Sequence, residues 1–127
     1  MVGEHRFPKA VRLCGHDAFG PVIRRGGFAA DQTLVVHALP QENAAALSRF
    51  GVTIPRRTGN AVVRNRWKRH IREAIRHCRL EAASGFDFVI RPKKGATLDG
   101  AQIRRGLPKL LKRATRRYRG SSSGKSS

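Results

Sequence analysis

The stretch over residues 59–79, GNAVVRNRWKRHIREAIRHCR, constrains what this chain can fold into more than any other. At about 100° per residue, Val63, Trp67, Ile71, Ala74, Ile75 and Cys78 fall on one arc of a helix. Lys68, Arg69, Arg72, Arg76 and Arg79 fall on the opposite arc, with Asn65 at the middle of the basic side. Arg64 and Arg66 border the apolar stripe, so their stems can lie along packed surface while their guanidinium groups reach outward. One face therefore belongs to a core and the other to an anion. An ordinary solvated face mixes both signs, but here Glu73 is the only acid. At i,i+4 spacing from Arg69 and His77 it can orient those neighbours without neutralising the face.

The rest of the chain is also basic. Lys and Arg outnumber Asp and Glu 27 to 8, for a formal charge of +19, and a charge that large calls for a polyanionic partner. Nucleic acid suits it better than a membrane. No apolar run approaches the ~18 residues of a spanning helix, and the basic helix turns Val and Ile toward a core rather than Trp and Leu toward lipid. DNA is disfavoured because no dimer seam accompanies the helix. The N-terminal MVGEHRFPKAVRL lacks the apolar stretch of a secretory signal, so a cytoplasmic location is expected. Cys14 and Cys78 are too few for a disulfide scaffold, and Cys78 reads as a small core hydrophobe. His70, His77 and Cys78 match no ligand spacing, so no metal held by the protein is expected.

A chain of 127 residues has room for one domain with a single core. Residues 1–12 read as a basic arm, Arg6, Lys9 and Arg12 around Phe7 and Pro8, lying on the domain surface or on the partner. Residues 13–116 form the domain. Asp17 is placed to cap a short helix that stops at Gly26-Gly27, with Phe19, Val22 and Ile23 on one side and Pro21 near the tolerant first turn. A short strand over 26–30 precedes two β-branched runs, 32–39 and 49–54, which read as neighbouring strands. Asn60 caps the central helix. The apolar run FDFVIR over 86–91 reads as a further strand, stopped by Pro92. Thr97 can cap a last helix with Ile103, Leu107, Leu110, Leu111 and Ala114 in one stripe, and Pro108 is expected to kink or break it. Residues 117–127 read as a flexible tail rich in Arg, Ser and Gly. The order αβββαβα describes a single-domain α+β sandwich with one sheet.

Nothing in the sequence arranges groups for protein-based catalysis. The carboxylates are scattered, no pair is spaced to hold magnesium or to act as acid and base, and no Ser or His stands in a nucleophile context. One glycine before the central helix is a weak phosphate signal.

The run FGVTIPRRTGNAVVRNRWKRHIREAIR resembles the signature of the protein subunit of bacterial ribonuclease P. That pattern has a small-residue strand, two basic residues, Gly-Asn-Ala-Val, then Arg-Asn-Arg and Lys-Arg followed by Arg-Glu or Arg-Gln. FPKAVRL, Phe19, Gly26, FDFVIRP and the stripe of the last helix fall where the family has them, so the resemblance covers roughly residues 5 to 116. It implies a mixed sheet whose basic helix lies in a left-handed β-α-β crossover. It implies a partner for a catalytic RNA, in a 1:1 complex, that removes the 5′ leader of precursor tRNA with magnesium (Mg2+) held through the RNA. On this resemblance Arg56, Arg57, Arg64, Asn65, Arg66, Lys68, Arg69 and Arg72 would contact the catalytic RNA. Phe19, Ile23, Thr33, Val35 and His37 would line a cleft for the leader between the first helix and the sheet.

The chain departs from the family at informative positions. The family often has aromatic residues where this chain has Ile23 and His37, and Ser-Lys-Lys where it has Pro55-Arg56-Arg57. Ile cannot stack on a base and His is a smaller platform, so backbone charge contacts are expected to matter more. A basic ribosomal or RNA-chaperone protein fits the composition equally well; the Arg-Asn-Arg helix followed by FDFVIRP favours the ribonuclease P subunit.

Overall fold

The computed structural model describes residues 7–126. A 3₁₀ turn at Lys9–Val11 leads into α1 (His16–Arg25), β1 (Gly27–Ala30), β2 (Leu34–Pro40), β3 (Arg49–Val52), α2 (Ala61–Cys78), β4 (Phe86–Pro92) and α3 (Gly100–Ser126). The strands form one mixed sheet in the order β1-β2-β4-β3. β2 is antiparallel to both β1 and β4, while β3 runs parallel to β4. This is the expected single-sheet α+β architecture, with α2 as the crossover between parallel β3 and β4.

The expectation that 32–39 and 49–54 pair directly is overturned, because β4 lies between them. The reason is burial. In β4, Phe86, Phe88 and Ile90 are buried on one face and Val89 on the other, and a strand covered on both sides belongs inside the sheet. The 41–48 segment, too long for a tight hairpin, instead ties down the start of β4. Gln41 Nε2 donates to the carbonyls of Leu47 and Phe86, and Ser48 Oγ accepts from the Phe86 amide.

The two sheet faces differ. On one, Leu34, Val36, Ala38, Phe50, Phe88 and Ile90 meet Trp67, Ile71 and Ile75 of α2 and Ile103, Leu107, Leu110 and Leu111 of α3. The Phe50 and Phe88 rings stack at 5.2 Å. On the other, α1 covers only a small cluster, Leu13, Val22 and Val89, edged by Ala18, Phe19 and Leu39. Gly26 and Gly27 are needed for closeness. A Cβ on Gly26 would lie 2.5 Å from the Val22 carbonyl oxygen, and one on Gly27 would lie 2.5 Å from the Tyr118 amide nitrogen. β1 therefore runs directly against α3.

Several expected boundaries move. α1 starts after Gly15, whose φ of 96° is open to glycine, so Asp17 sits in the first turn and not at the cap. Asn60 does cap α2, its Oδ1 accepting from the Val63 amide at 3.0 Å. Asp99, not Thr97, caps α3: its Oδ1 accepts from the Gln102 amide and its carbonyl from the Ile103 amide. Pro108 does not break α3, which is continuous through Gly100–Ser126 and so takes in 117–126 of the expected tail. The buried stripe on both sides of Pro108, Leu107 against Leu110 and Leu111, holds the helix together across the missing bond. The arm is also corrected from Phe7 onward. Phe7 and Val11 are buried in the main core, and the Leu13 amide donates to the Phe50 carbonyl at 2.9 Å, so this segment seals the outer edge of β3. Residues 1–6 lie outside the described range. Cys78 is buried, and burial pushes its thiol up to about 12, as suits a core hydrophobe.

Candidate nucleic-acid interface

The α2 register decides which of its side chains are free. Burial of Trp67, Ile71, Ala74, Ile75 and Cys78 turns Asn65, Arg66, Arg69 and Arg72 to solvent, with Lys68 and Arg64 half-buried at the flanks. Arg64 is held along packed surface, and its buried Nε has no partner among the described residues. Arg56 and Arg57 are exposed on a 3₁₀ turn, Arg56–Thr58, just before the cap.

A groove of about 670 Å³ runs between this face and the segment at 7–12. Arg12, Asn65, Lys68, Arg69, Arg72 and Arg76 line it, with Phe7 and Pro8 as its apolar side. Arg12 is fixed there: its Nε donates to the Phe7 carbonyl at 3.0 Å, and its guanidinium lies 5.1 Å from the Phe7 ring centre. The groove's single acid is Glu73. Its carboxyl is held below the usual range, first by the Arg76 hydrogen bonds at 2.6 and 2.7 Å and further by His77 at 3.2 Å. The expected pairing with His77 is present, but Arg76, one turn along at i+3, takes the place foreseen for Arg69. Arg69 thus stays turned toward the groove, which suits phosphate oxygens.

The α1 side of the sheet presents the second set. Phe19 is half-buried and packs on β3, so closely that a Cβ on Gly51 would come within 2.4 Å of its ring. Ile23 is 38% exposed. Val35 and His37 do share this face, but Thr33 precedes β2, its amide bound to Asp31 Oδ1 and its carbonyl accepting from the Lys93 amide. Thr33 and Val35 are buried and offer little surface.

His37, 5% exposed, is the chemical centre of this face. Arg91 Nε donates to His37 Nε2 at 3.3 Å, which makes Nε2 the acceptor and places the ring proton on Nδ1. That buried Nδ1 has no partner among the described residues. Burial, and then the nearby Arg91 charge, push the imidazole down to about 4. An unfolded imidazole titrates near 6.5. Between those values the unfolded chain binds the extra proton, so the stability contributed by neutral His37 is present above about 6.5 and lost as pH falls toward about 4. We expect His37→Gln to flatten the loss of stability across that interval, measured by urea unfolding at several pH values. An identical pH profile in the variant would contradict the assignment.

Sequence reasoning missed three residues on these surfaces. Arg91 is read there as the end of an apolar strand, yet Asp87 and Arg91 flank Val89 on one face, and charges at both ends signal a face covered at its middle and open at its edges. Asp87 is satisfied by a two-pronged pairing with Arg49, both contacts 2.8 Å. Phe28, 54% exposed, has its ring centre 6.0 Å from that of His37. Arg12 is assigned to a loose arm and turns out to wall the groove. No three His, Cys, Asp or Glu side chains come together to hold a metal among the described residues. No described helix is long and apolar enough to cross a membrane.

Comparison with known proteins follows the same outline. The Ribonuclease P family matches residues 7–115. The ribonuclease P protein component of Brevibacillus brevis is 39% identical over 109 residues, covering 84% of each chain. That of Bacillus cereus is 36% identical over 107 residues, covering 84% of this chain and 92% of the relative. Among solved structures, the Staphylococcus aureus RNase P protein superposes with a TM-score of 0.71 at 27% identity, covering 84% of this chain and 96% of the other. The Thermotoga maritima RNase P protein gives 0.69 at 29% identity, covering 80% and 96%.

Proposed function

This chain belongs to the ribonuclease P family, and from that membership we propose that it is the protein component of a ribonucleoprotein that removes the 5′ leader of precursor tRNA. One molecule joins one catalytic RNA in the cytoplasm. The α2 face and the groove behind it bind that RNA through phosphate contacts from Arg56, Arg57, Arg64, Arg66, Lys68, Arg69 and Arg72, with Asn65 positioned for a base edge. The single-stranded leader crosses the α1 side of the sheet, past Phe19, Ile23 and His37. Magnesium is held by RNA and supplies the chemistry of phosphodiester hydrolysis; the protein contributes positive charge, shape and exclusion of the wrong strand path.

The observation that most supports this reading is the one-signed face of α2. Asn65, Arg66, Arg69 and Arg72 project from a helix whose other side is locked in the core, and the one acid in the groove is occupied by Arg76 and His77. A polyanion brought there needs fewer metal ions to offset its own repulsion. The direct test is cleavage of precursor tRNA by a bacterial catalytic RNA at falling magnesium. Added protein is expected to shift the requirement to lower concentration while protein alone releases no mature 5′ end. Cleavage unaffected by the protein would leave a general RNA-chaperone role instead.

A further inference from the structure

We propose that Phe28, on edge strand β1, is a stacking platform for one nucleotide of single-stranded RNA, with His37 and Arg91 fixing its support from below. The inference rests on the reading that the leader crosses this face, and it adds a residue and an edge of the sheet that the reading did not contain.

Phe28 stands apart from the other phenylalanines. Phe7, Phe50, Phe86 and Phe88 are buried, and Phe19 leans on Gly51, whereas Phe28 is 54% exposed on an otherwise packed sheet. A single exposed apolar ring is ordinary in itself; what sets Phe28 apart is a flat face held on a fixed strand beside exposed cations, a geometry on which a base can stack. Its position is firmly set. The β1–β2 register pairs Phe28 with His37, the two rings are tilted by 37° at 6.0 Å, and the Phe28 carbonyl accepts from Arg117 Nη1 at 3.2 Å. His37 is in turn held by Arg91.

The chemistry around the ring selects the ligand. Arg24 and Arg25 are exposed just before it in the chain, and Arg117 reaches its carbonyl, so an anionic backbone is favoured there. The nearby acid, Asp31, is occupied by the Thr33 and Leu34 amides and by Gln102. His37 Nδ1, a buried donor without an acceptor among the described residues, marks the support beneath this edge as imperfectly packed. A stacked base beside a cationic rim describes an unpaired nucleotide; bases in a duplex already have their faces covered.

The test is titration of the reconstituted holoenzyme, at one fixed salt concentration, with leader-bearing and leaderless tRNA. Phe28→Ala is expected to weaken binding of the leader-bearing substrate on the order of ten-fold, the worth of one stacked base, and to leave leaderless tRNA unchanged. Phe28→Trp is expected to bind at least as well as the unsubstituted protein. Because the ring is exposed, both variants should melt where the parent does. If the parent holoenzyme favours leader-bearing substrate over the RNA alone and Phe28→Ala keeps that preference, the platform is wrong while the leader reading stands. If the parent shows no such preference, both fall. Equal losses with the two substrates would also overturn the platform, since the ring would then serve the tRNA body or the fold.

Discussion

Trp67→Ala is expected to destabilise the protein by about 3 to 5 kcal/mol, because truncating a large aromatic ring in a packed interior removes its transfer energy and leaves a cavity. Trp67 is 2% exposed, the largest of the fully buried side chains, and it stands in the first half of α2 where that helix presses on the sheet. A typical domain holds only about 5 to 15 kcal/mol in total, so this single change removes a large share. The melting temperature is expected to drop by roughly 10 to 25 °C. Val62→Ala, five positions earlier on the exposed side of the same helix, serves as control and should stay within about 0.5 kcal/mol. A Trp67→Ala protein that melted within a few degrees of the parent would mean that α2 does not anchor the core.

The second large effect separates binding from folding. Arg69→Ala combined with Arg72→Ala changes two exposed cations of the groove and no buried side chain, so stability should hold within about 1 kcal/mol. Affinity for the catalytic RNA should fall on the order of 10- to 100-fold near ~0.1 M salt, where release of counterions makes each neutralised phosphate worth roughly one decade. The logarithmic slope of affinity against salt should lessen by about 2, one for each phosphate that is no longer neutralised. Measured by filter binding over a salt series, an unchanged slope in a folded double variant would show that these arginines face only water.

How far the sequence leads depends on which force sets each feature. α2 is legible because its apolar stripe and its cap are local: Trp67 and Ile71 fix the buried arc, Asn60 fixes the start, and the basic face follows from geometry. The pairing of strands is not. Whether the runs beginning at Gln32 and Arg49 touch depends on a third strand far along the chain, and nothing in their own alternation carries that information. Phe7 and Val11 look like surface residues in the sequence because two apolar side chains cannot make an element, although they can complete one that others have built. Pro108 is overruled by tertiary packing on either side. The α1 face is half legible: Ile23 and His37 can be placed, but the exposure of Phe28 and the Arg91–His37 hydrogen bond arise only when β1, β2 and β4 are side by side.

The place of β4 between β2 and β3 governs the order in which a ribosome can deliver this fold. The β1–β2 hairpin can form as soon as it emerges, but two strands alone are marginal, and β3 has no sheet to join until residues 86–92 have been made. α2 precedes β4 in the chain and so emerges first, an arginine-rich helix whose apolar stripe then has only half its seat. The growing chain therefore passes through a stage at which a cationic, sticky segment is exposed beside ribosomal and messenger RNA. Completion of β4 and α3 ends that stage in one step, closing the seat for Trp67 and Ile71. A delay after α2 has emerged and before residues 86–92 follow it would lengthen this vulnerable interval, and prompt release of the C-terminal third would shorten it.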